Sequence, residues 1–310
     1  MTATTPSADT MRRVLVVSHF AREDAIESAL NTMEMLAAAG VIPVIERETP
    51  EVLGVEERLR LPKSAQLLEV DCSIEQCEIV IVLGGDGTIL LAVELARAAD
   101  VPVLGVNLGH VGFLAESEKD VLSTVVERVI DREYDVEERL TVEFVAETET
   151  GERFTGWALN EVSVEKGNRE RMLDAVIEVD GQPLSSFGCD GVLFATPTGS
   201  TAYSFSSGGP VVWPQVEALL LVPVSAHALF ARPLVTAPDS TLGVEVYTRD
   251  GSDGVIWCDG RRSHTVPSGT RITVTRSVQP VRLARLHQVP FTTRLVKKFQ
   301  LPIVGWRGPR

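Results

Sequence analysis

The sequence is short of basic residues. Its 29 lysines and arginines are outnumbered by 43 aspartates and glutamates, which gives a formal net charge of −14. A chain of this charge repels the phosphate backbones of DNA and RNA unless a local basic surface overcomes the field. We therefore expect no nucleic-acid partner.

Long apolar runs are also missing. The longest, from Ala218 to Val224, has seven residues and contains Pro223, whereas a membrane-spanning helix needs about 20. Residues 1–12 are small and polar, and the apolar stretch at 14–17 is too short for the core of a signal peptide. We expect no membrane partner and a cytoplasmic location.

Cysteine and histidine are too few and too scattered for a metal centre. The four cysteines stand at 72, 77, 189 and 258, and the close pair fits neither a zinc-ribbon knuckle nor a redox CxxC motif. The five histidines show no metal-ligand spacing. We expect reduced thiols, and no metal site that protein side chains fix.

Two common nucleotide-binding motifs are absent. The turn after the first apolar run, at 18–20, reads Ser-His-Phe and lacks the GxGxxG that admits a pyrophosphate, which disfavours a hydride-transferring dehydrogenase. No GxxxxGK[ST] occurs either, which excludes the usual P-loop NTPase.

What is present suffices for two domains, because 310 residues divide at roughly 150 per domain. Up to about residue 134, short apolar runs such as 14–17 and 79–83 alternate with helical spacing, as at 22–39. This pattern predicts an α/β domain with a parallel sheet, Rossmann-like without GxGxxG, over 1–134. Beyond it the period becomes two, which predicts an all-β, sandwich-like domain over 135–290. The tail, 291–310, returns to helical spacing and is expected to pack on the first domain.

A glycine-rich motif, Gly84-Gly85-Asp86-Gly87, directly follows the run at 79–83. Open α/β sheets bind ligands at this end of a strand. Glycines let backbone N–H groups face phosphates, and a carboxylate between them can accept a proton or hold Mg²⁺. The structural alternative is that Asp86 only caps a helix beginning at Gly87.

Two further polar clusters lie in the second predicted domain. The segment at 196–203 reads Thr-Pro-Thr-Gly-Ser-Thr-Ala-Tyr, and Gly188-Cys189-Asp190-Gly191 precedes it. Hydroxyls, glycines and an aromatic ring suit a loop that contacts ribose, phosphate and base; a turn-rich connection is the alternative. Asn160-Glu161 follows an apolar stretch and could bind paired ribose hydroxyls, although by itself it could equally be a surface pair.

Taken together, these motifs resemble the NAD kinase family in order and spacing, over nearly the whole chain from Val14 to Trp306, and the actinobacterial members most of all. The glycine motif alone also occurs in diacylglycerol kinases, sphingosine kinases and phosphofructokinases. Those families do not combine it with the motif at 196–203.

The resemblance implies a role for each cluster. Asp86 would accept the proton of the adenosine-ribose 2′-hydroxyl while Gly84, Gly85 and Gly87 host phosphates. Asn160 and Glu161 would hold the ribose and adenine side of NAD, and Asp190 would face its nicotinamide half. The remaining predicted contacts are an apolar wall, a basic residue near the phosphates and the lining of the adenine pocket: Phe113, Arg171, Thr198, Thr201, Ala202, Tyr203, Ser204, Phe205 and Ser206. Leu91 stands where many relatives carry Arg or His.

The function expected from the resemblance is transfer of a phosphoryl group from ATP, or from inorganic polyphosphate, to NAD, giving NADP. Mg²⁺ or another divalent cation would accompany the donor, and the protein would be a homodimer or homotetramer. The alternatives are a non-catalytic NAD(H)-sensing module and a lipid or sugar kinase that shares the glycine motif.

Overall fold

In a computed structural model of the chain, the structure describes residues 11–19, 22–107, 112–115, 122–167, 172–247, 253–286 and 290–302. The chain divides into two compact units. We call Met1–Glu138 with Val281–Arg310 the N-terminal unit, and Arg139–Pro280 the β-rich unit.

The N-terminal unit is an α/β fold with one seven-stranded sheet, in the order β3-β2-β1-β4-β5-β19-β6. Its strands are β1 (Arg13–Ser18), β2 (Ile42–Ile45), β3 (Gln66–Leu67), β4 (Ile79–Leu83), β5 (Val103–Val106), β6 (Asp135–Arg139) and β19 (Val281–Arg285). Its helices are α1 (Glu23–Ala38), α2 (Thr49–Val52), α3 (Val55–Arg60), α4 (Asp86–Ala96), α5 (Leu122–Asp131) and α7 (Phe291–Phe299). The pairings among the first five strands are parallel.

The strand order reverses between β1 and β4, and this reversal is where such sheets bind ligands. All five residues of β4 are buried, as expected for a strand covered on both faces. The chain leaves β4 at Leu83 and enters α4 at Asp86. The glycine motif therefore lies at the carboxyl edge of the sheet, beside its switch point.

The β-rich unit consists of two antiparallel six-stranded sheets, with the orders β11-β10-β15-β18-β7-β8 and β14-β13-β12-β9-β16-β17. The first sheet contains β7 (Val142–Glu147), β8 (Arg153–Ala158), β10 (Leu173–Val179), β11 (Gln182–Cys189), β15 (Leu242–Tyr247) and β18 (Thr270–Arg276). The second contains β9 (Glu161–Lys166), β12 (Gly191–Ala195), β13 (Leu219–Val224), β14 (Leu234–Thr236), β16 (Gly254–Cys258) and β17 (Arg262–Val266). A short helix, α6 (Tyr203–Ser206), lies between β12 and β13.

The two sheets share one apolar core. Phe144 and Val244 from the first sheet and Val164 and Phe194 from the second belong to the same buried cluster. Alternate residues of each strand face this cluster, which is the period-two pattern seen in the sequence. The predicted fold class, an α/β domain followed by a sandwich-like β domain, is confirmed.

The limits of the two units differ from the predicted limits at 134/135 and 290/291. They fall at 138/139 and 280/281, because β6 and β19 belong to the sheet of the N-terminal unit. In particular, Leu283 of β19 pairs in parallel with Val103 of β5. Apolar alternation marks a strand but does not say which sheet receives it, so the sequence pattern assigned β19 to the neighbouring β-rich segment.

The cysteines and the helices bear on two expectations from the sequence, namely reduced thiols and no membrane partner. All four cysteines are buried free thiols. Among the described residues, no helix combines the length and the apolar character needed to cross a membrane.

Candidate active site

Asp86 occupies the first position of α4, and Gly85 precedes the helix in an extended conformation. The N-cap position of this helix is held by Gly85, where no side-chain capping bond is made. Asp86 Oδ1 accepts a hydrogen bond from the backbone N–H of Leu114 at 3.2 Å, and Asp86 Oδ2 accepts one from Phe113 at 3.4 Å. The capping alternative is therefore wrong: the helix begins at Asp86 itself, one residue earlier than that reading requires.

The glycines around Asp86 have two different physical origins. A Cβ at Gly84 would lie 2.7 Å from the Thr88 hydroxyl, and one at Gly112 would collide with the Asp86 carboxylate. Packing excludes a side chain at both positions. A Cβ at Gly85 or Gly87, however, would meet no described atom within 4 Å. The fold does not demand glycine at these two positions, and their exposed backbone is open to a ligand.

Phe113, predicted as an apolar wall of the site, packs against the C-terminal helix of the same unit. Its ring centroid lies 5.8 Å from that of Phe291 and 5.7 Å from that of Phe299. These ring contacts give the segment at 112–115 a hydrophobic anchor on α7. The C-terminal helix α7 thus holds the segment whose backbone N–H groups donate to Asp86.

In the β-rich unit, a polar stripe runs along one face of β9. Glu161, Ser163 and Glu165 alternate with Val162 and Val164, which face the core. The Ser163 hydroxyl donates to Glu165 Oε1 at 2.6 Å. Because successive side chains of a strand point to opposite faces, the three polar residues share the outer face.

This stripe lines a cavity of about 450 Å³. The other lining residues are Tyr203, Trp257 and Gly260. Trp257 is the register neighbour of Ser163 on β16, and Tyr203 begins α6. The cavity therefore joins an aromatic surface to two carboxylates, a combination that suits a base and a ribose.

Glu161 is the most unusual group of this cavity. It is only 6% exposed, and its Oε2 has no hydrogen-bond partner among the described residues. Burial, followed by the nearby charge of Asp259, raises the pKa of Glu161 to about 8, although the backbone N–H of Tyr203 partly opposes this. A buried carboxylate oxygen without a partner is costly in a folded protein. A ligand hydroxyl would satisfy it.

Asp259 holds the turn that presents Asn160 and Glu161. Its two carboxylate oxygens accept hydrogen bonds from the backbone N–H groups of Leu159 at 3.0 Å and of Asn160 at 2.6 Å. Arg262 lies 3.1 Å from the same carboxylate. Burial raises the pKa of Asp259, while these N–H groups and Arg262 lower it. This carboxylate therefore ties down the backbone of residues 159 and 160, and Asn160 is half-buried.

The hydroxyls of the motif at 196–203 mostly serve the loop itself. Thr196 Oγ1 donates to Leu159 O at 2.6 Å and accepts from Gly199 N–H at 3.0 Å. The Ser200 hydroxyl is fully buried and bonds to the backbone of Pro197 and Val212. These residues form a scaffold that fixes the shape of the loop.

Residue 199 must be glycine, because a Cβ there would collide with the backbone of Asn160. This close approach couples the loop to the Asn160 turn.

The predicted contacts at 198–206 separate by exposure. Tyr203, Phe205 and Ser206 are exposed, and Thr201 and Ala202 are half-buried. Ser204 is fully buried beneath Gly209, and Thr198 is only 9% exposed. Direct ligand contact therefore stays a prediction for the accessible members, whereas Ser204 packs inside the loop.

Asp190 carries an ion pair: Lys166 Nζ lies 2.5 Å from its Oδ1. The hydrogen bond to Lys166, together with one from Ser225, lowers the pKa of Asp190. Its carboxylate is consequently negative at neutral pH and partly exposed. Arg171, the predicted basic residue near the phosphates, lies outside the described residues.

Comparison with protein families settles which family this arrangement belongs to. The ATP-NAD kinase N-terminal domain model matches residues 14–134, and the ATP-NAD kinase C-terminal domain model matches residues 159–286. The chain belongs to the NAD kinase family. The chain is therefore a phosphotransferase by family. It does not belong to the lipid-kinase or sugar-kinase families that share the glycine motif.

Curated NAD kinases match along almost the whole chain. An NAD kinase of Leifsonia xyli is 57% identical over 301 residues, covering 96% of this chain and 97% of its own length. An NAD kinase 2 of Streptomyces avermitilis is 54% identical over 298 residues, with the same two shares. Both names agree with the actinobacterial resemblance of the sequence.

Solved structures of NAD and NADH kinases share the fold. Yeast NADH kinase, solved in complex with NADH, superposes with a TM-score of 0.83 at 22% identity, covering 95% of this chain and 89% of its own. An NAD kinase from Archaeoglobus fulgidus, solved in complex with ATP, gives a TM-score of 0.68 at 24% identity, covering 94% and 100%.

Five residues of this NAD kinase family member were not singled out as site residues from its sequence. Ser163, Glu165, Trp257 and Gly260 line the cavity, and Asp259 supports it. The signal for the first two was present, because polar residues at 161, 163 and 165 alternate with valines. No local pattern marks Asp259 as a site residue, because the Asp-Gly pair at 259–260 is typical of an ordinary turn.

Proposed function

We propose that this chain transfers the terminal phosphoryl group of ATP to the 2′-hydroxyl of the adenosine ribose of NAD, giving NADP and ADP. Membership of the NAD kinase family supports the proposal, as do relatives above 50% identity that carry that name. The single observation that carries it is the Asp86 carboxylate, set between two glycines whose backbone is open to a ligand.

In this mechanism Asp86 accepts the proton of the 2′-hydroxyl as that oxygen attacks phosphorus. The new P–O bond forms in line with the bond that breaks, and ADP leaves with the bonding electrons. A secondary alcohol is a poor nucleophile at neutral pH, so a positioned base raises the rate. The two backbone N–H groups that hold Asp86 fix the direction of its carboxylate.

We assign the open glycines, Gly85 and Gly87, to the phosphates of the donor. Backbone N–H groups at the start of α4 suit anionic oxygens because the N-terminal end of a helix is electropositive. Leu91 supplies no charge on this helix. In this proposal the donor's divalent cation and Arg171 therefore neutralise more of the phosphate charge.

We propose that Mg²⁺ arrives with ATP. The described residues contain no cluster of three side chains able to hold a metal ion, and Mg²⁺ in kinases is bound largely by substrate phosphates with one or two carboxylates. When bound, it neutralises charge on the donor phosphates. Among the described residues, Asp86 lies between the open glycines, and its carboxylate could contribute one ligand to the Mg²⁺ ion.

We assign the cavity on β9 to NAD. The unpartnered Oε2 of Glu161 would accept a hydrogen bond from a ribose hydroxyl, with Asn160 as a second polar contact. Tyr203 and Trp257 offer aromatic surface to a base. Thr201, Ala202, Phe205 and Ser206 extend the same lining, and Asp190 remains the predicted contact of the nicotinamide half.

NADP formation is the direct test. The purified protein is incubated with NAD and either MgATP or polyphosphate, and NADP is measured by a coupled dehydrogenase. We expect NADP with MgATP; polyphosphate decides whether a second donor is accepted. No NADP with either donor, from protein that melts cooperatively, would refute the proposed reaction.

The remaining alternative, a non-catalytic NAD(H)-sensing module, is separated by comparing ligand binding with turnover. A ligand that binds only the folded state stabilises it by about 2.7 kcal/mol at a hundredfold excess over Kd. NAD should raise the melting temperature clearly, and nicotinamide mononucleotide, which lacks the adenosine half, should raise it less. Binding without NADP formation would favour the sensing module.

We also propose a homodimer or homotetramer. Leu229 and Phe230 are exposed ahead of β14, which is an edge strand whose Val235 is also exposed. Exposed apolar side chains beside an unpaired strand edge favour association. Light scattering after size-exclusion chromatography gives the mass directly. The cytoplasmic location stays a prediction.

A further inference from the structure

The segment at 112–115 is held on both sides of its backbone. Its N–H groups at Phe113 and Leu114 donate to Asp86. Its carbonyl oxygens at 113 and 115 accept from Arg294 of α7, at 2.9 and 3.4 Å. The carbonyl of Leu114 accepts from Arg285 at 2.8 Å. Two arginines therefore grip the face opposite the catalytic carboxylate.

One peptide group connects Arg294 directly to Asp86. The carbonyl of Phe113 and the N–H of Leu114 belong to the same planar peptide unit. Arg294 donates to its oxygen, and its N–H donates to Asp86 Oδ1. A cation at the oxygen polarises the peptide and strengthens the N–H as a donor, because hydrogen bonds in a chain reinforce one another.

Neighbouring contacts within the N-terminal unit make this arrangement stiff. Arg285 is buried, with an exposed fraction of 6%, and pairs with Glu137. The Phe113 ring lies between Phe291 and Phe299, which flank Arg294 along α7. The guanidinium and both rings thus come from one helix, which gives that helix a defined position over the segment.

We propose that Arg294 is a positioning residue for phosphoryl transfer. It acts through the 113–114 peptide group, which aims and restrains the Asp86 carboxylate, and it makes the C-terminal helix part of the catalytic apparatus. This inference rests on the proposed function in one respect, namely that Asp86 acts on the acceptor hydroxyl.

A simpler role would be anchoring of α7 alone. Loss of an anchor lowers stability or the fraction of folded protein, and leaves the folded enzyme's turnover unchanged. Loss of a positioning residue lowers kcat in protein that remains folded, with little change in either KM. The two roles therefore differ in measurable quantities.

The test compares Arg294→Met with Lys298→Met. Both remove one positive charge from α7, but Lys298 is exposed and makes no described contact with residues 112–115. For Arg294→Met we expect kcat to fall roughly 10- to 100-fold, since misplacing a catalytic group by about 1 Å can cost that much. Both KM values should stay within about threefold. Arg294→Lys, which keeps a donor and the charge, should recover part of the loss, and Lys298→Met should match the unmodified enzyme.

A second arm asks whether Arg294 acts through Asp86. In an Asp86→Asn background, Arg294→Met should lower kcat by less than about threefold further, because residues that act as a unit are not additive. An equal loss in both backgrounds, or an unchanged kcat in the single variant, would overturn the proposal.

Hydrogen exchange followed by mass spectrometry provides a readout without turnover. The backbone amides of residues 113 and 114 should exchange faster in Arg294→Met than in the unmodified protein, and at an unchanged rate in Lys298→Met. Unaltered protection of these amides in Arg294→Met would also overturn the proposal. If the unmodified chain makes no NADP at all, the proposed function fails, and this arm still decides whether Arg294 restrains the peptide.

Discussion

Two carboxylates in this protein lie next to the ends of buried strands and have opposite surroundings. Asp86 follows a buried strand of the N-terminal unit, is half-buried, and has a backbone N–H at each oxygen. Glu161 begins a buried strand of the β-rich unit, is nearly inaccessible, and has an oxygen without a partner. Backbone N–H groups orient the first carboxylate, whereas the second lacks a partner that would stabilise its charge.

The difference indicates a division of labour. Hydrogen bonds from backbone N–H groups stabilise a carboxylate and fix its orientation, which suits a group that must meet a reacting proton. Desolvation without a partner raises the free energy of the charged form and is relieved when a ligand supplies a donor. Chemistry is accordingly expected at Asp86 and ligand binding at Glu161.

The strongest way to break this comparison is Asp86→Asn. We expect kcat to fall roughly 10²- to 10⁴-fold, the usual contribution of a positioned base, with NAD affinity within a few-fold. The change preserves size, but an amide NH2 cannot accept a hydrogen bond, so one of the two backbone N–H contacts is lost and the melting temperature should fall slightly. Full activity in the folded variant would remove Asp86 from the mechanism.

A smaller effect, on a different parameter, is expected at the second carboxylate. Glu161→Ala should raise the KM for NAD, since a lost hydrogen bond costs on the order of 0.5 to 3 kcal/mol, or roughly 2- to 150-fold. Asn160→Ala should act in the same direction. The control is Glu152→Ala, which removes an exposed carboxylate from a hairpin of the same unit. A higher KM for ATP with an unchanged KM for NAD would assign the cavity to the wrong substrate.

The glycine motif offers a matched pair of variants. Gly85→Ala places a methyl group in open space with a permitted backbone conformation, so the fold should tolerate it while the KM for ATP rises about tenfold by steric conflict with a phosphate. Gly84→Ala would crowd Thr88 and should instead lower stability by roughly 1 to 3 kcal/mol. Steady-state kinetics and thermal melting distinguish the two; an unaltered KM in Gly85→Ala would place the phosphates elsewhere.

The smallest effect concerns stability and pH. The pKa of Glu161 is about 8 in the folded protein, above its ordinary value of 4.5, so the folded state binds more protons than the unfolded state between these limits. The free energy of unfolding contributed by this group therefore falls as pH rises through that window.

Glu161→Gln removes this titration. Its melting temperature should exceed that of the unmodified protein near pH 8.5 and should exceed it by much less near pH 5. Glu152→Gln serves as the control, with no pH-dependent difference. A constant offset for Glu161→Gln across the range would contradict the proposed desolvation.

Much of the fold followed from sequence patterns that extend over only a few adjacent residues. The strand at Ile79–Leu83 was predicted with its observed limits, and the helix expected at 22–39 spans Glu23–Ala38. The Asp-Gly pair at 180–181, a sequence typical of hairpin turns, forms the turn between β10 and β11 with both residues at positive φ. A second Asp-Gly pair, at 253–254, does not form such a turn: Gly254 begins β16 and pairs with Val266, because partner strands decide where a glycine-containing strand starts.

By itself, the sequence determined the two fold classes, the position of Asp86 after a buried strand and the residues that carry the family resemblance, because hydrophobic period and glycine placement act over a few neighbouring residues. Only the tertiary structure decided which sheet receives β19, which hydroxyls of the loop at 196–203 remain accessible, and that Asp259 and Arg294 hold groups 99 and 181 residues away in the chain. Those outcomes depend on burial and hydrogen-bond geometry between distant segments, and no local pattern encodes which distant partner will satisfy a buried charge.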